Sequence, residues 1–388
     1  MPQFTADWIY SPEAMLKDHL LEVSPEGKIL ALRPIRPGDQ PQRFAGTLSP
    51  GFVNAHCHLE LSVLQGQIPE HTGMVDFIGQ VVGKRDGFSE AKQESAAKKA
   101  LADMVAAGIV AVGDISNRSL TAELKRQEPH VWTHTFVELL GLVPEKAEAI
   151  VQTGRELLAA FEGLPASLSP HAPYSMSGEL LAALYAQQPE RMSIHLLESK
   201  AERALFDQQR GPFLGFFTRL RLPQPPFPAL GAVGHVLHRY RSSPSYLLVH
   251  LTEARPDELA LLQEKIPQAW FCLCPLSNLY IHQRFPEIEN FLPYRDRVCL
   301  GTDSLASNQQ LDIWAEVKAI HTRYPDLDWH TLLNWATYNG ARALGLEEWV
   351  GAFRPGSMPG VLRLPIGPQE GKNREGEEME LLFKAKRR

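Results

Sequence analysis

Short apolar runs that end in polar residues recur along this chain, and a stretch of helical character follows most of them. Gly51–Asn54 leads into His56 and His58, Ile109–Val112 into Asp114, Val131–Val137 into Glu138, and Ala166–Ser169 into His171. Farther on, Met192–Ile194 leads into His195 and Glu198, and Tyr246–Val249 into His250. Trp270–Leu273 leads into Ser277 and Asn278, and Arg297–Leu300 into Asp303. Helices are predicted over Glu90–Ala107, Pro144–Phe161, Ser177–Gln187, Pro256–Lys265 and Leu311–Thr322. Strands alternating with helices call for an α/β fold with a parallel sheet, since each helix carries the chain back to start the next strand. About eight such units, over roughly 250–300 residues, fit a closed (β/α)8 TIM-like barrel better than an open sheet. Polar residues at the C-terminal ends of the strands lie where such barrels keep their active sites.

The flanks break this rhythm. Residues 1–50 offer short strand-like pieces at His19–Val23 and Lys28–Leu32, and residues 348–388 offer Val361–Leu364 and Leu381–Lys384. The two ends are expected to pair into a small β-sandwich domain beside a barrel of residues 51–347. The charged run Lys372–Met379 is expected to be a solvated loop.

Composition narrows the partners. In 388 residues, 39 basic and 45 acidic side chains give a net charge of −6 without a basic stripe, which speaks against nucleic acid or an anionic membrane surface. No apolar run is long enough to span a bilayer. Met1–Tyr10 lacks the basic, apolar character of an export signal. The cysteines, Cys57, Cys272, Cys274 and Cys299, sit in apolar segments rather than at disulfide-scaffold spacings. A cytoplasmic protein acting on a small molecule is the expectation, and a homo-oligomer is compatible with it. Cys272 and Cys274 point one way if they lie on a strand; packing is favoured over metal binding, because free cysteine is commonly a small buried hydrophobe.

The chemistry lies in the strand-end residues. His56 and His58, at i and i+2 behind an apolar run, face the same side of a strand, and imidazole suits zinc. An HxH pair is weak alone. His171, His195, His250 and Asp303 at the same end of the fold make a metal site the stronger reading. A catalytic zinc keeps one position open for water and lowers the pKa of that water to about 7. Asp303 then has two jobs, metal ligand and acceptor of the water's proton. Glu198, three residues past His195, can stay off the metal and shuttle protons, as a non-ligand Glu does in zinc deaminases. The plain alternative is a glutamate in the first turn of a helix, favoured by the dipole.

Five segments together resemble the amidohydrolase superfamily, in its deaminase and chlorohydrolase branch. They are Pro50–Leu59 (PGFVNAHCHL), Ser169–Ser175 (SPHAPYS), Ser193–Ser199 (SIHLLES), Cys274–Asn278 (CPLSN) and Leu300–Ser304 (LGTDS). They occur in family order, and Arg354–Val361 is similar to the family's return to its β domain. The resemblance implies one zinc per chain held by His56, His58, His195 and Asp303, with iron or manganese acceptable to the same donors. It implies that Glu198 protonates a ring nitrogen and relays a proton to the leaving group, that His250 polarises the attacking water, and that His171 contacts substrate. Ser277 and Asn278 of the CPLSN segment are further expected substrate contacts. No lysine stands in the fourth-strand segment, which argues against the two-metal branch with a carbamylated lysine. Two departures stand out: His250 lies in LVHLT rather than a Gly-His-Cys-like setting, and Leu276 stands where many relatives carry Arg or Glu.

The implied reaction is attack of metal-activated water on an amidine-like ring carbon, with loss of ammonia. Leu59–Ser62 (LELS) is similar to an element of aminodeoxyfutalosine deaminases, enzymes of a menaquinone route. That likeness would set Glu60 against a sugar or ring nitrogen; a residue behind the site is nearly as good a reading. Phe206–Phe227, with Phe213, Phe216 and Phe217, makes either an aromatic lid or a helix packed on the barrel. A deaminase of an adenine nucleoside derivative follows, with 6-amino-6-deoxyfutalosine favoured. S-adenosylhomocysteine or methylthioadenosine deamination, guanine or cytosine deamination, triazine dechlorination and cyclic amide or imidazolone hydrolysis are the alternatives. A non-catalytic ligand-binding barrel ranks below these, because no residue of the ligand set is missing.

Overall fold

The computed structural model describes residues 2–223, 230–239, 241, 244–367 and 378–387. Among these residues fifteen strands run in chain order: β1 (Gln3–Tyr10), β2 (Met15–Leu16), β3 (His19–Val23), β4 (Ile29–Pro34), β5 (Gln42–Ser49), β6 (Phe52–Cys57), β7 (Ile109–Ser116), β8 (Trp132–Leu139), β9 (Ala166–Pro170), β10 (Arg191–Leu196), β11 (Ser245–His250), β12 (Trp270–Leu273), β13 (Val298–Leu300), β14 (Val361–Leu364) and β15 (Glu380–Phe383). The fold is mixed α/β. Two four-stranded parallel sheets, β6-β7-β8-β9 and β10-β11-β12-β13, alternate with helices along the chain. Every residue of β7 and of β8 is buried, the pattern of parallel strands covered on both faces.

Backbone contacts join the two sheets at both ends. His195 N donates to His171 O at 2.9 Å on one side, and Cys57 and Asp303 form a parallel bridge on the other. Gly113 of β7 permits a close approach: a Cβ there would stand 2.2 Å from the Ala55 carbonyl oxygen.

Two of the expected helices begin where a side chain takes up a free backbone N–H. Asp312 accepts from Trp314 N, so the last expected helix begins at Ile313 rather than Leu311 and runs to Arg323. Ser177 likewise caps Gly178–Ala186 by accepting from Leu180 N. Over Pro144–Phe161 a 3-10 turn (Pro144–Lys146) precedes an α-helix (Ala147–Ala159). Pro256–Lys265 is helical over its whole expected length.

Strands from both ends of the chain share one sheet, in the order β15-β14-β5-β1-β3-β4 with β2 beside β1. β5 explains the joining: it runs parallel to β1 on one edge and antiparallel to β14 on the other. Gly46 in β5 is required, with φ of 94° and the Leu364 carbonyl oxygen 2.2 Å from where a Cβ would lie. Phe4, Phe44 and Phe383 pack across this sheet with ring centroids 5.7–5.8 Å apart. Among the described residues these strands make one hydrogen-bonded sheet.

The four cysteines are free and buried. Cys272, Cys274 and Cys299 lie in an apolar cluster with Val53, Val249 and Trp270. Burial pushes the Cys274 thiol up to about 11. Among the described residues, no group placed to hold a metal includes a cysteine. Phe213 and Phe217 turn inward from the helix Pro212–Arg219, with Phe213 4.5 Å from the ring of Tyr174. That stretch is thus a packed helix; Phe227, like residues 372–377 of the charged run, lies outside the described residues. Among the described residues, no helix is long and apolar enough to cross a membrane.

Candidate metal centre

His56, next to last in β6, is fully buried, and His58 follows just beyond the strand, their ring centroids 5.0 Å apart. The next residue, Leu59, has its N–H fixed by Asp114 Oδ1 at 2.8 Å. The other Asp114 oxygen pairs with Lys125 Nζ at 2.5 Å, and both side chains are wholly buried. Lys125 also donates to Thr135 Oγ1 at 2.8 Å. A strand-end aspartate without an assigned role in the sequence thus ties down the turn after the histidine pair.

His195, on β10, donates from Nδ1 to the His171 carbonyl at 2.9 Å. That bond leaves Nε2 as the free lone pair, 3.4 Å from His58 Nε2. Asp303 follows β13. Its Oδ2 accepts from Ser277 Oγ (2.7 Å) and Ser307 Oγ (2.6 Å). Its Oδ1 is turned to His58 Nε2 at 3.5 Å and His56 Nε2 at 3.8 Å. A tetrahedral zinc with bonds of about 2 Å sets its ligand atoms about 3.3 Å apart, close to these spacings. His56 adds a direct sign of fit. Both its ring nitrogens are buried without a hydrogen-bond partner, a costly state for imidazole unless a cation takes one of them. Burial, followed by the charges of the neighbouring histidines, holds His56 well below its ordinary pKa, in the neutral form that binds metal. The cluster can hold a divalent cation.

Glu198 and His250 stand beside this set. Glu198 Oε2 lies 3.6 Å from His250 Nε2, and Oε1 lies 3.9 Å from His282 Nε2. Burial, and then the Asp303 charge, raises the Glu198 carboxyl to about 8. Glu198 is not in the first helical turn. Ser199 caps the helix Lys200–Gln208, and the first-turn acid is Glu202, whose carboxylate accepts from Glu198 N at 3.0 Å. His250 is held by Asn278 Nδ2 on its Nδ1 at 3.2 Å, and burial lowers its pKa to about 3. His250 (φ 75°) and Asp303 (φ 58°) are both left-handed, a costly backbone state that collects at functional sites.

The other expected contacts are placed as follows. His171 lines the same cavity as Glu198, with its Nδ1 2.7 Å from Ser175 Oγ. Ser277 and Asn278 are fully buried and touch Asp303 and His250 rather than the cavity wall. Glu60 is buried, and its Oε2 accepts from Asn117 N (3.0 Å) and Arg118 N (3.1 Å). Burial, and then Asp114, raises its carboxyl to about 7.

Glu138 was read only as a strand-end residue. It lies 3.7 Å from His195 Nδ1, its Oε1 is buried without a hydrogen bond, and its Oε2 accepts from Asn117 Nδ2 at 3.2 Å. Burial pulls its carboxyl up, but the charges of His171, His195 and His58 together leave it below the ordinary value. Its position after Val131–Val137 was the available signal. His282 and Arg85 gave none.

A histidine–carboxylate cluster able to hold a cation, at the ends of parallel strands in an α/β scaffold, fits the class of metal-dependent hydrolases. The amidohydrolase family profile matches residues 47–359. The chain belongs to the amidohydrolase family, hydrolases acting on carbon–nitrogen bonds. It is similar to an adenosine deaminase of Helicobacter pylori, 27% identical over 312 residues, covering 78% of this chain and 75% of that one. An aminodeoxyfutalosine deaminase of Deinococcus radiodurans is 27% identical over 341 residues, covering 81% and 79%. Among solved structures, Helicobacter pylori aminofutalosine deaminase in complex with methylthio-coformycin superposes with a TM-score of 0.78. It is 22% identical, with 95% of this chain and 93% of that one covered.

Proposed function

We propose that this chain is a zinc-dependent deaminase of an adenine nucleoside derivative, with 6-amino-6-deoxyfutalosine, a menaquinone precursor, as the favoured substrate. The observation that carries the reading is the grouping of His56, His58, His195 and Asp303 with two further groups, Glu198 and His250, held beside the ligand atoms. His56, His58, His195 and Asp303 are the four ligands. When bound, zinc supplies a Lewis acid that brings the pKa of water to about 7; iron or manganese fits the same donors. Asp303 keeps Oδ1 free because Ser277 and Ser307 occupy Oδ2, and it accepts the proton of the attacking water. His250, oriented by Asn278, hydrogen-bonds that water. Glu198 holds a proton at neutral pH and gives it to the ring nitrogen; it then takes up the remaining proton of the added hydroxyl and passes it to the departing amine. Ser277 and Asn278 act through Asp303 and His250, and His171 contacts the ring from the cavity wall.

The architecture proposed with this function is a (β/α)8 barrel of residues 51–347, with 1–50 and 348–388 as a small β-sandwich domain. The bridge between Cys57 and Asp303 and the bond from His195 to His171 support closure of the two sheets into one barrel. The deciding measurement is ammonia release by the purified, metal-analysed protein on a panel of adenine nucleosides, guanine, cytosine and an aryl-chloride triazine. Turnover of an adenine nucleoside with about one zinc per chain is expected. No ammonia from any 6-aminopurine nucleoside would sink the assignment.

A further inference from the structure

The helix Met74–Lys84 presents one face to the cavity that holds Glu198 and His171. Met74, Phe77, Ile78, Val81 and Val82 line that cavity, and Arg85 continues the same row in helical geometry. The spacing i, i+3, i+4, i+7, i+8, i+11 is a single stripe along the helix, about 16 Å long at 1.5 Å per residue. The stripe is apolar until its last member. Val82 is 50% exposed, and Leu140, also on the cavity wall, is 51% exposed. Two large apolar side chains left open at one cavity mouth mark a surface that a ligand covers.

Arg85 is the one arginine or lysine among the described residues lining this cavity. Its guanidinium makes no hydrogen bond among the described residues, and its Nε is buried without a partner. The nearest acid, Asp86, comes only within 3.7 Å of Nε through Oδ1, and that same oxygen is taken by Arg118 Nη2. The acids that line the cavity, Glu138, Glu198 and Asp303, stand with the histidines of the metal centre. The cavity therefore gathers its carboxylates around the metal centre and offers in Arg85 one cation for an anionic group.

We propose that Arg85 receives a carboxylate on the tail of the substrate, and that the apolar stripe before it seats an aryl spacer. The inference rests on the adenine-nucleoside reading and narrows it to nucleosides with an arylcarboxylate tail. The guanidinium fork matches a carboxylate with two parallel hydrogen bonds. A neutral tail would leave it with only the 3.7 Å approach of Asp86.

The test compares aminodeoxyfutalosine, whose tail ends in a benzoate, with its methyl ester, in the zinc-loaded parent enzyme and in the Arg85→Met and Arg85→Lys variants. The parent is expected to prefer the acid. In Arg85→Met the acid-to-ester ratio of kcat/KM falls about 10- to 100-fold, mainly through KM, as loss of a charge-assisted hydrogen-bond pair requires. Arg85→Lys recovers part of the ratio. A ratio that Arg85→Met does not move, with both compounds still deaminated, overturns this inference alone. A parent enzyme that releases ammonia from neither compound overturns the deaminase reading and this inference with it.

Discussion

Replacing Lys125 with methionine tests how the interior holds the metal-binding turn. Lys125 Nζ is 2.5 Å from Asp114 Oδ2, and neither side chain is exposed. Methionine keeps the length and the apolar stem but leaves the Asp114 carboxylate buried without its cation. Removing one partner of a buried ion pair costs about 3–5 kcal/mol. Thr135 Oγ1 loses its donor as well, which adds about 1 kcal/mol. Asp114 Oδ1 also anchors Leu59 N, so the turn carrying His58 loosens and zinc affinity is expected to fall about 10-fold or more. Urea unfolding of the metal-free protein reads the stability, and competition with a chromophoric chelator reads the zinc affinity. The double variant Lys125→Met with Asp114→Asn leaves no charge stranded, so it should be more stable than Lys125→Met alone. A single variant within about 1 kcal/mol of the parent, or a double variant no better than the single, would refute the argument.

Three further outcomes are expected. Glu198→Gln keeps its zinc, measured by metal analysis, and loses at least about 100-fold in kcat; full activity in that variant would remove the proton-transfer role. His195→Ala loses both zinc and turnover, and chelation of the parent abolishes ammonia release until zinc is restored; activity surviving complete metal removal contradicts the ligand assignment. His134 is buried with Nε2 2.9 Å from Ser167 Oγ, and burial lowers its pKa to about 3. Below about pH 6.5 the unfolded chain binds a proton that folded His134 refuses, so its contribution to stability is lost as pH falls from there toward 3. Between pH 7 and 5 this amounts to about 2 kcal/mol, and His134→Gln should lose that much less than the parent over the same interval. Equal pH slopes for the two proteins would contradict it.

The strands of the parallel sheets were legible because buried parallel strands read as continuous apolar runs, and their polar ends named most of the residues at the metal centre. The helix Met74–Lys84 was not legible. Its interior contains Gly79 and Gly83, which weaken any helical pattern, and a Cβ at either position would meet nothing within 4 Å. Arg85 was lost with it, since only the direction of that helix shows which face meets the cavity. Lys125 was hidden by its setting: in AELKRQ, among Glu123, Arg126 and Gln127, it looks like one more solvated charge. Its burial follows from the inward turn of that short helix, not from the residues beside it. The pairing of the two chain ends was expected and β3, β4, β14 and β15 were found, but β1 and β5 were not, and the joining runs through β5 using both edges, which no local pattern encodes.

The seam between the first and last strands of the parallel sheets has a consequence for biosynthesis. Thr302 N and Asp303 N both donate to the His56 carbonyl, at 3.0 and 3.1 Å, and Asn54 Nδ2 donates to Thr302 Oγ1 at 2.7 Å. On a ribosome adding about 5–20 residues per second, His56 precedes Asp303 by roughly 10–50 s. During that interval the nascent chain carries His56 and His58, and later His195, without the carboxylate of the proposed ligand set or the strand that fixes their spacing. Full-strength coordination then belongs only to chains translated past Asp303, so early arrest yields a product that holds zinc weakly and yields it readily to competing thiols.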